Sequence, residues 1–233
     1  MNEMIRVRDL LFRYSGTPFC LAVPQWDVAA GEQVAIVGPS GSGKTTLLHL
    51  LAGILTPQQG RIEMDGQDLC PLSDAARRNF RATQVGLVFQ RFELIEYLTV
   101  AGNILLPYSI NLTLRLDATV RQRLLALAQR TGIEHLLRRP VQRLSQGEQQ
   151  RVAICRALIN QPRWILADEP TGNLDPENKR TIVELLQQQA TESGATLIMV
   201  THDVSSVAQF PRQVDFRDWC QTSLDSGATK ESS

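Results

Sequence analysis

The sequence predicts an α/β fold with a parallel sheet covered by helices, and three patterns carry that reading. Short apolar runs at Val34 to Val37, Val85 to Phe89, Trp164 to Ala167 and Thr196 to Val200 alternate with helix-period stretches, as buried parallel strands joined by crossover helices do. The first thirty residues and Gly60 to Leu69 alternate like antiparallel strands, with turn signals at Ser15-Gly16-Thr17-Pro18, Ala30-Gly31 and Asp65-Gly66. They predict an N-terminal antiparallel β subdomain beside the core. Between Gln90 and Ser145 the chain reads as predominantly helical: Val120, Leu124, Leu127 and Ala128 recur at helical spacing and Gly132 stops that helix. This predicts an inserted helical subdomain at about 91–160 within a single domain spanning 1–222. The stretch 223–233 is polar and small, has no apolar face to bury, and is expected to be a disordered tail.

The balance of 24 basic and 24 acidic residues gives no overall pull toward nucleic acid or an anionic membrane. The pairs Arg77-Arg78 and Arg138-Arg139 are read as solvated helix faces. Cys20, Cys70, Cys155 and Cys220 are scattered, without a C-x-x-C pair or histidines at metal-ligand spacing, so neither a zinc site nor a disulfide framework is indicated. Met1 to Arg6 carry an early acid and lead into no secretory signal, and no apolar run approaches the roughly 18–20 residues that cross a bilayer. Any action at a membrane is therefore expected to pass through a partner.

Gly38-Pro39-Ser40-Gly41-Ser42-Gly43-Lys44-Thr45-Thr46 fits the phosphate-loop pattern G-x-x-x-x-G-K-[ST]. A strand-like run, Gln33 to Val37, precedes it and a helical run, Leu47 to Ala52, follows. Glycines let the loop curl without Cβ clashes, and the new helix offers unpaired N–H groups with its positive dipole end. Lys44 adds a full charge near the β and γ phosphates, and Thr45 is placed to ligate magnesium. The sequence thus predicts a P-loop NTPase core that binds a nucleoside triphosphate.

The third apolar run ends in Asp168-Glu169-Pro170, two carboxylates where parallel sheets present ligands. Asp168 suits magnesium, and Glu169 suits polarisation of a water that attacks the γ-phosphate. Further on, Ser145 followed three residues later by Glu148 is a capping-box pattern. A well-capped helix accounts for it locally. The sharper alternative is an anion site, with Ser145 and the Gly147 N–H aimed at a phosphate.

The order of phosphate loop, Gln90, Leu144-Ser145-Gln146-Gly147-Glu148, Trp164-Ile165-Leu166-Ala167-Asp168-Glu169-Pro170, Asn173-Leu174-Asp175 and Thr201-His202-Asp203 resembles the nucleotide-binding subunit of ABC transporters. The resemblance covers about residues 5–219. Pro170 to Asp175 and Leu98 to Asn103 look like the lipoprotein-releasing, macrolide-export, heterocyst-glycolipid-export and cell-division branch. It implies an ATPase using ATP and Mg2+, in which Tyr14 stacks on adenine, with Phe12 as the rival aromatic. Gln90 would touch magnesium and sense the membrane subunit, and His202 would contact the γ-phosphate. Asp175, which also suits an N-cap before Pro176, would make a dimer contact.

In this family two nucleotide-binding subunits form a head-to-tail dimer, here expected to be a homodimer, with the Ser145 region of one closing over the phosphate loop of the other. The resemblance further implies membrane-spanning permease subunits, a peripheral place at the cytoplasmic face of the inner membrane without direct insertion, and no nucleic acid. The segment Arg91 to Asn103 is expected to face the permease, with Phe92 and Leu94 as contact residues. Gln146 departs from the usual glycine and is expected to point away from nucleotide. A cell-division-type regulator that does not transport is the alternative, since it shares the motor. DNA-repair and chromosome ATPases are disfavoured because Thr46 to Leu144 is too short for their coiled coils.

Overall fold

The computed structural model describes residues 4–219 apart from Asn173. The expected tail and Cys220 lie outside the described residues.

The chain opens with an antiparallel pair, β1 (Met4–Arg13) and β2 (Cys20–Ala29), joined through the predicted Ser15–Pro18 turn. Ile5 and Val7 are buried, then Leu10 and Phe12, so the buried phase slips by one residue between Val7 and Leu10. Asp9, at φ +47°, lies at that slip, where the register with β4 (Gln59–Met64) also shifts. An extra residue at a bulge lets both halves of a long strand turn their apolar side chains to one core. With the short β5 (Gln67–Asp68), the sheet runs β2-β1-β4-β5.

The second sheet is parallel. Its strands β3 (Gln33–Val37), β6 (Val85–Val88), β7 (Trp164–Asp168), β8 (Thr196–Thr201) and β9 (Arg212–Asp215) are arranged β6-β7-β8-β3-β9. Four are the predicted apolar runs. The fifth, β9, was not read from the sequence because Arg212-Gln213-Val214-Asp215 holds one apolar residue. Among the described residues it is an edge strand, paired to β3.

Successive strand residues point to opposite faces and enter two cores. Val34, Ile36, Leu166, Ile198 and Val200 join the core shared with the antiparallel sheet and α1 (Lys44–Leu51). Ala35, Ile165, Ala167, Leu197 and Met199 join the core shared with α5 (Ala118–Arg130), α6 (Gln146–Leu158) and α7 (Pro176–Ser193). Burial on both faces is why these strands read as continuous apolar runs.

Three helices are less regular. In α2 (Asp74–Gln84) only Phe80 is buried, and Ser73 caps the helix. Arg77 is not on a solvated face as expected: its guanidinium donates to the Leu72 carbonyl at 2.8 Å and its side chain is 16% exposed. The stretch with weak periodicity forms two single-turn helices, α3 (Val100–Ile104) and α4 (Leu106–Ile110), interrupted next to Pro107. Gly132 at φ +71° follows α5, as its stop signal predicted.

Candidate nucleotide site

Because β3, β6, β7 and β8 are parallel, the segments that leave them emerge at one edge of the sheet. This brings together the phosphate loop, Gln90, Asp168-Glu169 and Thr201-His202. Gly43, at φ +107° and ψ 12°, is the N-cap of α1 and makes no side-chain cap bond. A Cβ there would lie 2.5 Å from the Phe19 ring, and one at Gly38 would lie 2.9 Å from the Phe216 Cβ. The loop is held between these two aromatics, neither of which any sequence motif marks.

Lys44 is buried and folds back, its Nζ donating to the carbonyls of Gly38 and Pro39, each at 2.9 Å. The same ammonium is 3.6 Å from Glu169 Oε1. Thr45 Oγ1 donates to Asp168 Oδ1 at 3.1 Å, which sets a hydroxyl beside a carboxylate. Thr46 is buried, with its hydroxyl 3.1 Å from the Tyr14 hydroxyl. Ser40 and Gly41 are exposed on the loop, and the Ser42 hydroxyl oxygen is buried without a hydrogen-bond partner.

Glu169 sits at φ +44°, a region that costs a non-glycine residue energy and is tolerated where the surroundings fix it. Its N–H donates to the Val200 carbonyl at 2.9 Å, and its Oε2 accepts the Thr201 hydroxyl at 3.1 Å. His202 Nδ1 lies 2.9 Å from the same oxygen. A carboxylate only accepts, so Nδ1 carries the hydrogen of this contact. Burial raises the Asp168 carboxyl above the usual range, with neighbouring Glu169 adding to the rise and the Thr45 hydrogen bond opposing it. Burial also lowers His49 on α1, against the pull of Asp168.

These groups surround a cleft of about 440 Å³ lined by Tyr14, Lys44, Thr45, Gln90, Glu169 and His202. Tyr14 stands at its edge, 40% exposed, packed edge-on against Phe12 at 4.9 Å and tilted toward Phe19 at 5.6 Å. Phe12, the rival aromatic, is buried in the sheet.

Ser145, Gly147 and Asp175 do not line that cleft; they form a second group. Ser145 caps α6 in a complete capping box with Glu148, and Gln146 is exposed at the first helical position. Asp175 caps α7 by accepting the Asn178 N–H at 3.1 Å, and its other oxygen accepts Asn178 Nδ2 at 2.6 Å. The Asn178 hydrogen bonds hold the Asp175 carboxyl below the usual range. Asn178 Oδ1 accepts from Arg151 on α6 at 3.4 Å and faces Gly147, where a Cβ would come within 3.6 Å. Asn178 therefore ties the two helix starts into one face. Asn173 lies outside the described residues.

A separate groove of about 380 Å³ runs between α2, β6 and α4, lined by Leu87, Phe89, Leu106 and Ile110 among others. Phe92 and Leu94 are half-buried, and Leu94 packs on the core shared with the helices. Tyr97, Ile110 and Leu112, nearby in the chain, are exposed apolar side chains. Fully buried Asn103 fixes the loop after Gln90 by accepting the Ile95 N–H at 2.7 Å and donating to the Ile95 carbonyl at 3.0 Å. Arg156 on α6 donates to the carbonyls of Phe92 and Glu93, and its burial lowers its pKa.

Residues 21–172 match the protein family described as "ABC transporter". The chain belongs to this family. The MJ0796 ABC transporter cassette, solved as a dimer and described as bacterial, is similar at 32% identity and a TM-score of 0.79, over 91% of this chain and 94% of that one. MJ0796 in a post-hydrolysis dimer bound to ADP and Pi is similar at 32% identity and 0.79, over 91% and 93%. The structure of cbiO1 from Clostridium perfringens, part of the ABC transporter complex cbiONQ, is similar at 33% identity and 0.78, over 89% and 81%. The α/β ABC ATPase fold, with its parallel sheet and antiparallel β subdomain, is thus shared with solved cassettes. In this ABC transporter cassette, no helix among the described residues is long and apolar enough to cross a membrane.

Proposed function

We propose that this cassette binds ATP with magnesium, closes head-to-tail on a second copy, hydrolyses the γ-phosphate bond and passes the motion to membrane-spanning permease subunits. The observation that carries the reading is the phosphate loop itself. Ser42 offers a buried hydroxyl without a partner, and the Lys44 ammonium rests on two loop carbonyls, so both have bonding capacity for phosphate oxygens.

Thr45, Asp168 and Gln90 supply the hard oxygen atoms that magnesium prefers, and a site with so few protein ligands suits an ion that keeps phosphate and water ligands. Bound there, magnesium would neutralise charge on the phosphate oxygens. Tyr14 presents its ring to adenine. The loop N–H groups, Ser40, Gly41 and Thr46 fix the phosphates, Glu169 orients a water and takes its proton, and His202 with Thr201 holds Glu169 Oε2 in place. The positive φ of Glu169 aims its side chain back into the cleft beside Lys44.

The exposed Ser145 and Asp175, with half-buried Gly147 between them, suit a face that completes the site of a second copy, and dimeric MJ0796 supports that arrangement. The apolar groove beside the loop that follows Gln90 suits a permease segment at the cytoplasmic face of the inner membrane. The Pro170 to Asp175 and Leu98 to Asn103 segments favour the lipoprotein-releasing, macrolide-export, heterocyst-glycolipid-export and cell-division branch.

Glu169→Gln tests the reading. Phosphate release should fall by about 10²–10⁴ while ATP still binds, since the amide keeps the shape and loses the base. An ATP-bound dimer should accumulate on size-exclusion chromatography with light scattering. A variant keeping half its turnover would exclude Glu169 as the base.

A further inference from the structure

The hydroxyl of Ser145, the group proposed to meet the second copy's nucleotide, is already engaged within its own subunit. Ser145 Oγ donates to Glu148 Oε2 at 2.9 Å, and the Ser145 N–H donates to the same oxygen at 2.7 Å. In return the Glu148 N–H donates to Ser145 Oγ at 3.3 Å. The Ser145 N–H holds the Glu148 carboxyl below the usual range, and Arg139 and His135 reinforce this. An anion therefore occupies the start of α6 at neutral pH.

A serine hydroxyl has one proton, whereas carboxylates and phosphates accept hydrogen bonds, so Ser145 can donate to Glu148 or to a phosphate but not fully to both. Two anions at the same helix end also repel each other while drawing on the same dipole. We infer that Glu148 is a positioning residue that competes with the second copy's γ-phosphate for Ser145, so that closure of the dimer requires Ser145 to release Glu148. This rests on the proposed composite site. It adds that the strength of the Ser145–Glu148 contact sets how tightly ATP closes the dimer.

A helix cap alone and a competitor predict different results. If Glu148 only caps α6, replacing it lowers stability and leaves closure unchanged or weaker. If it competes, replacing it tightens closure even though the helix start is weakened. Glutamine keeps the reach and the accepting oxygen of a capping box without the charge.

The test compares ATP–Mg2+-driven dimerisation of Glu169→Gln with that of Glu169→Gln/Glu148→Gln, by sedimentation over a range of protein concentrations. The dimer Kd should fall about 5- to 10-fold in the double variant, the difference between displacing a charge-assisted hydrogen bond and a neutral one. Glu148→Ala on the same background should also tighten the dimer while lowering the melting temperature, which excludes a new contact made by glutamine. An unchanged or weaker dimer in Glu148→Gln overturns the competition. If no variant dimerises with ATP, the composite-site reading fails, and the competition fails with it.

Discussion

The phosphate-loop cleft and the α6–α7 face use similar polar side chains under different constraints. In the cleft, Lys44, Asp168, Glu169 and Thr201 are buried and hold one another across strands far apart in sequence, as in the Thr45–Asp168 and Thr201–Glu169 bonds. On the α6–α7 face, Ser145 and Asp175 are exposed, and partners three residues away satisfy them. Unpaired buried polar groups are costly, so most of the cleft's side chains are paired within the single chain, the Ser42 hydroxyl excepted. Exposed caps form from local sequence and leave a rigid, uncovered face. One region is ready to hold a ligand, and the other is shaped to be covered.

The contrast breaks if both regions respond alike to substitution. Gly147→Asp should lower ATPase activity at least about 100-fold by setting a carboxylate where the second copy's phosphate arrives. Its ATP affinity as a monomer should stay within a few-fold, because Gly147 does not line the cleft. Lys44→Ala should do the reverse and weaken ATP binding to the monomer by about 10- to 100-fold, the loss of charge-assisted bonds. Titration with a fluorescent ATP analogue separates the two, and a Gly147→Asp variant with near-normal turnover would remove the composite site.

Phe216→Ala probes how far the cleft depends on distant packing. Phe216 is fully buried against Gly38 and packs edge-on to Trp219 at 6.1 Å, so its loss should cost about 3–5 kcal/mol in denaturant unfolding. ATP affinity should fall with it, because the loop loses its support. Unchanged affinity in the folded variant would mean that the loop holds its shape alone.

Asp168→Asn tests whether the cleft carries strain that the cap face lacks. Burial raises the Asp168 carboxyl, so its ionised form is less favourable in the folded chain than in the unfolded one. That cost is absent below the unfolded pKa, grows as pH rises through the window up to the folded pKa, and stays in force above it. At neutral pH the asparagine variant should therefore melt a few degrees higher without nucleotide while losing most of its ATPase activity. A lower melting temperature would show that the Thr45 contact outweighs the desolvation. The smallest effect is expected at Gln146→Gly: the side chain is exposed on the first turn of α6, so turnover should stay within a few-fold.

Much of this was legible in the chain. Four parallel strands announced themselves because strands buried on both faces must be apolar throughout, and the phosphate loop, the acid pair and both N-caps are short-range patterns. The edge strand β9 gave no such signal, since the half-buried Arg212-Gln213-Val214-Asp215 needs no apolar run. In the charged α2 the sequence suggests only a solvated helix face, and Arg77 reads as solvated until its packing over Gly53 is seen. Phe92 and Leu94 read as contact residues, and only the tertiary packing shows how much of each is left uncovered: both are half-buried, while Tyr97, Ile110 and Leu112 are exposed.

The sequence by itself determined what depends on neighbours along the chain: glycines where a loop must curl, caps where helices start, and periodicity that tells strand from helix. Only the tertiary structure decided what depends on groups meeting across the sheet. It set Phe19 and Phe216 on either side of the phosphate loop, placed His202 and Thr201 on one oxygen of Glu169, and joined Gly147 to Asp175 through Asn178. The Glu169 contacts and the approach of Phe216 to the loop follow from the strand order β6-β7-β8-β3-β9, in which segments distant in sequence become neighbours, and no local pattern encodes that order.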